Sequence, residues 1–252
     1  MKKILVIGDS CTDIFIYGSV KRICPEAPVP VFIPNKIIKN GGMAKNVYEN
    51  IKSLGVDCDI ITNKQIITKT RYVEEYTNQM IIRIDSNENG IRKINKINKI
   101  NLSKYDAIVI SDYNKGFLSY DDIEYICSNH NTVFIDTKKK ITDKILKATF
   151  IKINEPEYEN NINNGVVFDR HLDKLIVTIG NRGCKYKEKI YKVKKVEIKD
   201  MSGAGDTFIS ALSVKYCLTK NIISSIKFAN RCATVAVQHR SITKVGEYIK
   251  IG

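Results

Sequence analysis

Residues 200–207 read Asp-Met-Ser-Gly-Ala-Gly-Asp-Thr, and this segment is the strongest candidate in the sequence for a catalytic function. An apolar run follows at residues 208–214, and its spacing predicts an amphipathic helix. Two glycines around one small residue let the backbone turn tightly and leave its N–H groups uncovered. Because the N-terminal end of a helix carries a partial positive charge, this arrangement favours binding of an anion such as a phosphate group.

Asp206 stands directly beside that predicted anion site. A carboxylate there repels an anionic ligand, so its presence suggests a chemical role. It could accept the proton of a hydroxyl group that attacks a phosphoryl group, while backbone amides stabilise the charge that develops. A structural explanation is also open, because an acidic residue in the first turn of a helix is stabilised by the helix dipole.

Five short apolar runs predict the strands of a buried parallel sheet. They lie at residues 4–7, 107–110, 132–135, 150–153 and 175–179. Helical patterns at residues 45–54 and 120–128 lie between some of these runs. The alternation of strands and helices predicts an α/β fold with a doubly wound, mostly parallel sheet flanked by helices.

Each of these runs is followed by a polar residue or a glycine. The residues concerned are Gly8 and Asp9, Ser111 and Asp112, Asp136, Asn154, and Gly180. In open α/β sheets the ligand crevice lies outside the carboxyl ends of the strands. Asp and Asn are common at such positions for turn geometry alone, but the set as a whole predicts a ligand site along one edge of the sheet.

Two further segments are rich in β-forming residues and do not fit the parallel layer. They lie at residues 28–38 and 70–85, and the second is predicted to fold back as a hairpin at Thr77 and Asn78. We interpret them as a small β-flap, formed by about residues 14–39 and 66–85, within a single domain of residues 1–252. We expect the flap to be a lid that excludes water from the site, a dimer surface, or both.

The composition limits the classes of protein. The chain has 252 residues, of which 43% are hydrophobic, and this is sufficient for one large α/β domain. Because no apolar run approaches membrane-spanning length and no signal-peptide pattern occurs, we expect a cytoplasmic protein without a membrane partner. The seven cysteines form no C-x-x-C pair, and the three histidines lie apart from other candidate ligands. This pattern disfavours a disulfide framework, a zinc site and a Ser-His-Asp triad.

The formal net charge of +14 raises the question of nucleic-acid binding. Most of the excess is lysine spread through sequence rich in Ile, Lys and Asn, rather than a basic stripe interleaved with aromatic residues. The densest part, at residues 91–101, is predicted to be a solvated helix or loop. We therefore expect no nucleic-acid partner and attribute the charge to compositional bias together with an anionic substrate.

Several separated motifs together resemble one family. Neither a Walker A sequence nor a G-x-G-x-x-G sequence occurs, so any nucleotide is bound by another scheme. In their order, the motifs resemble the ribokinase-like (PfkB) carbohydrate kinases over nearly the whole chain. They lie at residues 8–13, 17–18, 24–31, 40–46, 68–71, 111–116, 136–138, 154–157, 177–183 and 200–207.

Two of these motifs are similar to one branch of that family. They are Pro-Glu-Ala-Pro-Val-Pro at residues 25–30 and Ser-Asp-Tyr-Asn-Lys-Gly at residues 111–116. The branch comprises the kinases of D-glycero-D-manno-heptose 7-phosphate, which make the 1,7-bisphosphate precursor of ADP-heptose for lipopolysaccharide. The resemblance implies phosphorylation of the anomeric C1 hydroxyl with ATP and Mg²⁺, and it concerns only the kinase half of the ADP-heptose synthesis protein.

The resemblance also implies roles for single residues. Asp206 would be the catalytic base, and the amides of Gly203, Ala204 and Gly205 would form the anion hole. Asn154 and Glu157 match the N-x-x-E pattern that helps to hold Mg²⁺ and its waters around the phosphates. The positions that line the nucleotide are Thr178, Gly180, Gly183 and Asn230. A requirement for a monovalent cation near Asp200 stays open.

The sugar-binding positions follow from the same resemblance. They are Asp13, Gly41, Gly42, Asn46 and Asp112. A phosphorylated sugar also needs cations, for which the candidates are Lys69, Arg71, Lys115 and Lys138. Each of these could equally be an ordinary surface cation, since the chain has 41 lysines and arginines.

Some features depart from the family pattern. The chain is shorter than typical members, with segments near residues 61–66 and 160–166 that look trimmed, Lys45 in place of a small residue, and Thr137 in place of a proline. Two alternatives therefore remain: a PfkB-family kinase of another sugar, sugar phosphate or nucleoside, and a non-catalytic sugar- or nucleotide-binding protein. Because family members often pair through the β-flap, the resemblance implies a homodimer.

Overall fold

The computed structural model describes residues 2–251, and an eight-stranded sheet organises them. Its strands are β1 (Lys3–Gly8), β4 (Asp57–Thr62), β7 (Ala107–Asp112), β8 (Val133–Thr137), β9 (Phe150–Asn154), β10 (Leu175–Thr178), β11 (Cys184–Tyr186) and β12 (Lys189–Tyr191). Their order is β12-β11-β10-β9-β8-β7-β1-β4. Each of the five predicted strands is present, within two residues of its predicted bounds.

Pairing in this sheet is parallel from β4 through β1, β7, β8 and β9 to β10, and antiparallel from β10 through β11 to β12. The helices are α1 (Ala44–Ser53), α2 (Tyr120–Ser128), α3 (Asp143–Leu146), α4 (Glu155–Asn163), α5 (Ala204–Thr219) and α6 (Ile222–Ala236). Short 3₁₀ turns lie at Ile97–Lys99, Leu102–Lys104, Asp169–His171, Gly180–Arg182 and Val245–Glu247. This architecture confirms the predicted mostly parallel sheet flanked by helices.

The core lies on both faces of the large sheet, as strand β1 illustrates. Ile4 and Val6 belong to one buried cluster, which also contains residues of α1, α5 and α6. Leu5 and Ile7 belong to a second cluster on the opposite face, together with residues of α2. Successive side chains of a strand point to opposite faces. A strand covered on both faces must therefore be apolar throughout, which is why the parallel strands appear in the sequence as continuous apolar runs.

A second sheet has four strands in the described part of the chain: β2 (Ser10–Ile23), β3 (Pro30–Met43), β5 (Ile67–Glu74) and β6 (Met80–Ser86). Their order is β3-β2-β5-β6. The predicted hairpin is present between β5 and β6, with Asn78 at a φ of 59° in the turn. The strands reach beyond the expected flap of 14–39 and 66–85, since β2 begins at Ser10, two residues after β1 ends.

The Lys-, Ile- and Asn-rich segment at residues 91–101 differs from its prediction as a solvated helix or loop. It is irregular apart from the turn at Ile97–Lys99, and its isoleucines pack against the second core cluster. These isoleucines are Ile91, Ile94, Ile97 and Ile100. Because they recur at every third position, they cover the core while the lysines between them stay in water. The segment is thus a loop, one of the two predicted alternatives, but its isoleucines are partly buried rather than solvated.

None of the helices in residues 2–251 is both long enough and apolar enough to cross a bilayer.

Candidate active site

The N-terminus of α5 is built on Gly203. This residue caps the helix with a left-handed backbone at a φ of 76°, a conformation that favours glycine. The helix begins at Ala204, so Gly205 and Asp206 lie in its first turn. The Ala204 N–H donates to the Met201 carbonyl at 3.2 Å. An anion bound by this amide would have to replace that partner.

The Asp206 carboxylate is buried and held by side chains from two distant segments. Its Oδ2 accepts a hydrogen bond from the Asn46 amide at 3.0 Å, and its Oδ1 accepts one from the Tyr113 hydroxyl at 2.8 Å. Burial raises the pKa of Asp206 to about 6, although the hydrogen bonds from Asn46 and Tyr113 oppose this rise. The group therefore titrates just below neutrality, as is suitable for a base that works near pH 7.

A cavity of about 780 Å³ opens beside this carboxylate, and its size is that of a small-molecule site. It brings together residues that were predicted to serve in catalysis and in nucleotide binding, and one of the cations predicted for the sugar phosphate, Lys138. Those that line it are Lys138, Asn154, Thr178, Gly180, Gly183, Gly203, Ala204, Gly205, Asp206 and Asn230. The carboxyl ends of β8, β9 and β10 contribute part of this wall, in agreement with the expected crevice at that edge of the sheet.

Asn154 and Glu157 cap the N-terminus of α4 through a reciprocal pair of hydrogen bonds. The Asn154 Oδ1 accepts from the Glu157 N–H at 2.8 Å, and the Glu157 Oε2 accepts from the Asn154 N–H at 2.9 Å. The N-x-x-E pattern is thus a helix-capping box as well as a predicted metal motif. The ammonium of Lys138 is hydrogen-bonded to the Glu157 carboxylate.

The side-chain oxygens of Asn154 and Glu157 at the N-terminus of α4 suit the binding of magnesium. No group of three or more His, Cys, Asp or Glu side chains that could hold a metal occurs in residues 2–251. Mg²⁺ does not require one, because it commonly keeps several waters and takes one or two protein carboxylates together with substrate phosphates. The Glu157 carboxylate is such a donor: it does not itself line the large cavity, but it is hydrogen-bonded to Asn154 and Lys138, which do.

The two glycines predicted to line the nucleotide adopt conformations that other residues avoid. Gly180 has a φ of 60° and Gly183 a φ of 96°. A Cβ atom on Gly183 would come within 2.1 Å of the Tyr191 carbonyl oxygen. The Asn230 amide donates to the same carbonyl at 2.7 Å, so α6 and the β11–β12 hairpin are joined at the cavity wall.

The predicted sugar residues lie where the second sheet meets the main body. The Asp13 carboxylate on β2 is hydrogen-bonded to the Arg71 guanidinium on β5. A Cβ atom on Gly42 would lie 1.9 Å from the Asp13 Oδ2, so only glycine leaves room for this carboxylate. At Gly41 a Cβ atom would meet the Lys45 side chain at 2.7 Å. Asn46, in the first turn of α1, connects this region to the Asp206 carboxylate, because its amide donates to that group.

The four cations predicted for a sugar phosphate are all paired with carboxylates. The Lys69 ammonium contacts Asp85 at 3.0 Å and Glu88 at 2.6 Å, and the Lys115 ammonium contacts Glu88 at 2.6 Å. Glu88 therefore joins Lys69 and Lys115 into one cluster. Arg71 pairs with Asp13 instead, and Lys138 lies in the wall of the large cavity, apart from that cluster.

Asp112 has a different setting from the other predicted sugar residues. Its side chain is fully buried and accepts the Thr137 hydroxyl at 2.5 Å and the Lys139 ammonium at 2.8 Å and 3.0 Å. It is not among the residues that line the large cavity, and neither are Asp13, Gly41, Gly42 and Asn46. Asp200 also has protein partners, since it accepts the N–H groups of Ser202 at 2.8 Å and Ser241 at 3.1 Å.

Two residues of the site, Tyr113 and Lys152, were not singled out in the sequence, and Asp136 was identified only as a residue that follows a strand. Tyr113 donates to Asp206, and the buried pair of Lys152 and Asp136 lies in the cavity wall. A charged residue inside the otherwise apolar strand β9 was a signal that could have identified Lys152. Tyr113 lies within the Ser-Asp-Tyr-Asn-Lys-Gly motif, but the sequence does not show that its hydroxyl reaches the Asp206 carboxylate.

Residues 40–245 match the family model described as pfkB family carbohydrate kinase. The chain belongs to this family. Its members are phosphotransferases that use ATP, and typically a divalent metal ion, to phosphorylate a sugar hydroxyl.

Curated relatives agree with this assignment. A protein named bifunctional protein HldE from Helicobacter pylori (strain J99) is 30% identical, and the match covers 94% of this chain and 63% of the relative. The protein of the same name from Hydrogenovibrio crunogenus is also 30% identical, with coverage of 94% and 59%. The chain thus spans less than two thirds of the length of these relatives. The first alignment runs over 293 positions, more than the 252 residues of the chain, so the relative carries segments that this chain lacks.

Solved structures show the same fold. A ribokinase from Thermotoga maritima superposes with a TM-score of 0.73 at 17% identity, covering 97% of this chain and 96% of that one. Phosphofructokinase-2 from Escherichia coli, solved in complex with potassium, gives a TM-score of 0.72 at 14% identity, with coverage of 96% and 94%. The ribokinase-like fold is thereby confirmed.

Proposed function

We propose that this protein is the ATP-dependent kinase of D-glycero-D-manno-heptose 7-phosphate, which phosphorylates the anomeric C1 hydroxyl to give the 1,7-bisphosphate for ADP-heptose and lipopolysaccharide synthesis. The observation that carries the kinase chemistry is the buried Asp206 carboxylate at the N-terminus of α5, beside the large cavity. The segments at residues 25–30 and 111–116, together with the similarity to the HldE proteins, support the heptose substrate.

In the proposed reaction Asp206 is the general base. The sugar hydroxyl transfers its proton to the Asp206 carboxylate while its oxygen forms a bond to the γ-phosphorus of ATP, and the bond between that phosphorus and the β–γ bridging oxygen breaks. Asn46 and Tyr113 orient the carboxylate through their hydrogen bonds. The backbone N–H groups of Gly203, Ala204 and Gly205 stabilise the charge on the transferred group.

Mg²⁺ is the proposed metal cofactor. Asn154 and Glu157 would hold it, largely through water, at the end of β9. When bound, the ion neutralises phosphate charge and orients the transferred group. The Glu157 carboxylate would then exchange its pairing with Lys138 for the hydrated ion, and the Lys138 ammonium would be released toward the phosphates. A monovalent cation near Asp200 would add to this set.

Lys69 and Lys115 are the cations that we assign to the 7-phosphate of the sugar. Both contact the same Glu88 carboxylate, so they can converge on one anionic group. A second candidate function shares this mechanism but takes another sugar phosphate, since two converging ammonium groups recognise a phosphate rather than a particular sugar. A non-catalytic binding protein is less well supported, because Asp206 and Asn154 line the cavity and Glu157 is hydrogen-bonded to Asn154.

A homodimer through the second sheet belongs to the same proposal. Ile37, Ile16, Tyr72 and Ile82 lie opposite one another on four adjacent strands and therefore share one face. The opposite face is packed on the body through Phe15 and its neighbours. Ile37 and Ile82 are 59% and 53% exposed, so this row presents an apolar surface that a second copy can cover.

The identity of the product tests the proposal. Incubation with ATP, Mg²⁺ and D-glycero-D-manno-heptose 7-phosphate is expected to give a product with two sugar-phosphate signals in ³¹P–¹H NMR spectra. The new signal should be coupled to the anomeric proton. A phosphate attached at any other carbon would contradict the assignment of C1, and consumption of ATP without a new sugar phosphate would contradict the kinase activity.

A further inference from the structure

Lys152 and Asp136 form a buried ion pair in the wall of the large cavity. They are paired across strands β9 and β8, and the Lys152 Nζ lies 2.7 Å from the Asp136 Oδ2. Each side chain is only 4% exposed. Strand β9 reads Phe-Ile-Lys-Ile-Asn, so Lys152 interrupts a strand that is otherwise buried and apolar until its last residue.

The stability of the fold does not explain this pair. Removing two charges from water costs several kcal/mol for each ion, and an apolar pair of similar size is often at least as stable. The pair is also incompletely satisfied. The Asp136 Oδ1 is buried and has no hydrogen-bond partner in the described chain, and Asp136 is the one hydrogen-bonding partner of the Lys152 ammonium there.

The position of the ammonium points to another role. A Cβ atom on Gly205 would lie 2.8 Å from the Lys152 Nζ, so the charge rests directly against the first turn of α5. That turn carries the positive end of the helix dipole and the N–H groups of the proposed anion hole. Two positive centres facing one cavity repel each other unless an anion binds between or beside them. A phosphoryl group in transfer has the required charge.

We propose that Lys152 is a catalytic residue that binds the transferred phosphoryl group from beneath Gly205, and that Asp136 is the positioning residue that holds its ammonium there. The inference rests on the kinase function proposed above. The bonds that form and break are those of the general reaction, and the proton of the sugar hydroxyl still goes to Asp206. Lys152 supplies N–H donors and a positive charge and stays protonated throughout.

The protonation state is consistent with this role. Burial lowers the pKa of Lys152, but the neighbouring carboxylates, Asp136 foremost, together offset this through charge and hydrogen bonding, so the pKa is raised. The ion pair with the Asp136 carboxylate, at 2.7 Å, favours the ammonium form of Lys152, which has no lone pair with which to act as the base. The role of base is left to Asp206, whose pKa lies about 6.

Direct binding of ATP and ADP to the purified full chain, without sugar, tests the inference. Because charge-assisted hydrogen bonds to phosphate are strong, Lys152→Met is expected to weaken ATP binding about tenfold or more and ADP binding less than about twofold. Lys147→Met is the matched control, since Lys147 forms an exposed pair with Glu124 on the surface. It should bind both nucleotides as the wild type does.

Two further variants separate catalysis from folding. Lys152→Met leaves Asp136 unpaired, so the double variant Lys152→Met with Asp136→Asn removes both charges and should fold; it is expected to show the same ATP-selective loss and a turnover lower by about a hundredfold. Asp136→Asn alone should lower kcat more than it raises the KM for ATP, because the ammonium is then present but misplaced.

The outcomes are distinguishable. A folded double variant with wild-type turnover and wild-type ATP affinity overturns the inference, and so does an equal loss of ATP and ADP binding. A wild-type chain that binds neither nucleotide contradicts the proposed function, and the inference falls with it. A wild-type chain that binds ATP but does not phosphorylate the heptose leaves the role of Lys152 standing and contradicts only the substrate assignment.

Discussion

The Asp206 carboxylate is held between an amide on α1 and a hydroxyl in the loop after β7, two segments that are far apart in the chain. Such support fixes the direction of both oxygens before a substrate arrives, which is the preorganisation that a general base needs. Removing the negative charge while keeping the shape should therefore affect turnover rather than binding.

Asp206→Asn is the corresponding variant. We expect its kcat to fall by about 10² to 10⁴, the usual contribution of a general base, with little change in the affinity for ATP. Steady-state kinetics together with calorimetric ATP binding would measure both. Asp173→Asn, at an exposed position in the turn before β10, provides a control. Turnover close to that of the wild type in Asp206→Asn would rule out the assignment of the base.

The pH dependence follows from the same residue. Below a pKa of about 6 the Asp206 carboxyl is protonated and cannot accept a proton, so kcat/KM should fall as the pH drops through that value and be constant above it. The hydrogen bond from Tyr113 lowers the pKa of Asp206. In Tyr113→Phe the pKa should therefore rise, and the acid limb of the profile should move to higher pH.

A pH–rate profile from pH 5 to 8 would test this, with Tyr76→Phe as the control because Tyr76 is 87% exposed. An acid limb that stays in place in Tyr113→Phe would show that the hydrogen bond does not influence the reacting carboxyl.

At the scale of elements, the N-terminus of α5 depends on one glycine. Gly203 and Gly55 both have left-handed backbones, at φ values of 76° and 81°. A Cβ atom on Gly203 would lie 2.5 Å from the Asn46 amide nitrogen, whereas a Cβ atom on Gly55 would have no neighbour within 4 Å. The two positions therefore share the backbone strain and differ in the contact.

Gly203→Ala and Gly55→Ala should each lower the free energy of unfolding by about 1 kcal/mol or somewhat more. Only Gly203→Ala should also reduce kcat, because it displaces the Asn46 amide from Asp206. Thermal denaturation and steady-state kinetics of the pair would show this. Equal activity in the two variants would mean that the Asn46 contact is not needed for turnover.

The elements themselves were largely predictable from the sequence. Continuous apolar runs identified the parallel strands because those strands are buried on both faces, and α2 was predicted with the bounds that it has, Tyr120–Ser128. The start of α5 was predicted less directly: the apolar pattern begins at residue 208, and only the Gly-Ala-Gly turn indicated the earlier start that the structure has, at Ala204. Small residues in a first turn carry no periodic signal, and there the capping geometry decides the boundary.

The site was predictable in part. The motifs identified several residues around the large cavity: Asn154 and Gly180 stand at strand ends on one edge of the sheet, and Gly203 to Asp206 begin a helix. The pairing of charges was not predictable. These ion pairs join side chains from different strands and loops. Examples are Glu88 with Lys69 and Lys115, and Lys152 with Asp136. Such contacts are set by the fold and leave no pattern along the chain.

At the scale of the whole molecule, the exposed apolar row on the second sheet predicts a homodimer. The double variant Ile37→Lys with Ile82→Lys places two charges in that row and should convert a dimer to a monomer in sedimentation experiments. Val167→Lys is the control, because Val167 is 69% exposed and lies outside the row. A wild-type chain that sediments as a monomer at micromolar concentrations would contradict the proposed interface.

The central claim is that the chain phosphorylates a sugar that already carries a phosphate. The most direct measurement is ADP release from ATP and Mg²⁺ with D-glycero-D-manno-heptose 7-phosphate, fructose phosphates, ribose, fructose and adenosine as separate acceptors. We predict turnover with heptose 7-phosphate and none above background with the unphosphorylated acceptors. Turnover with ribose, fructose or adenosine, and none with any sugar phosphate, would contradict the account.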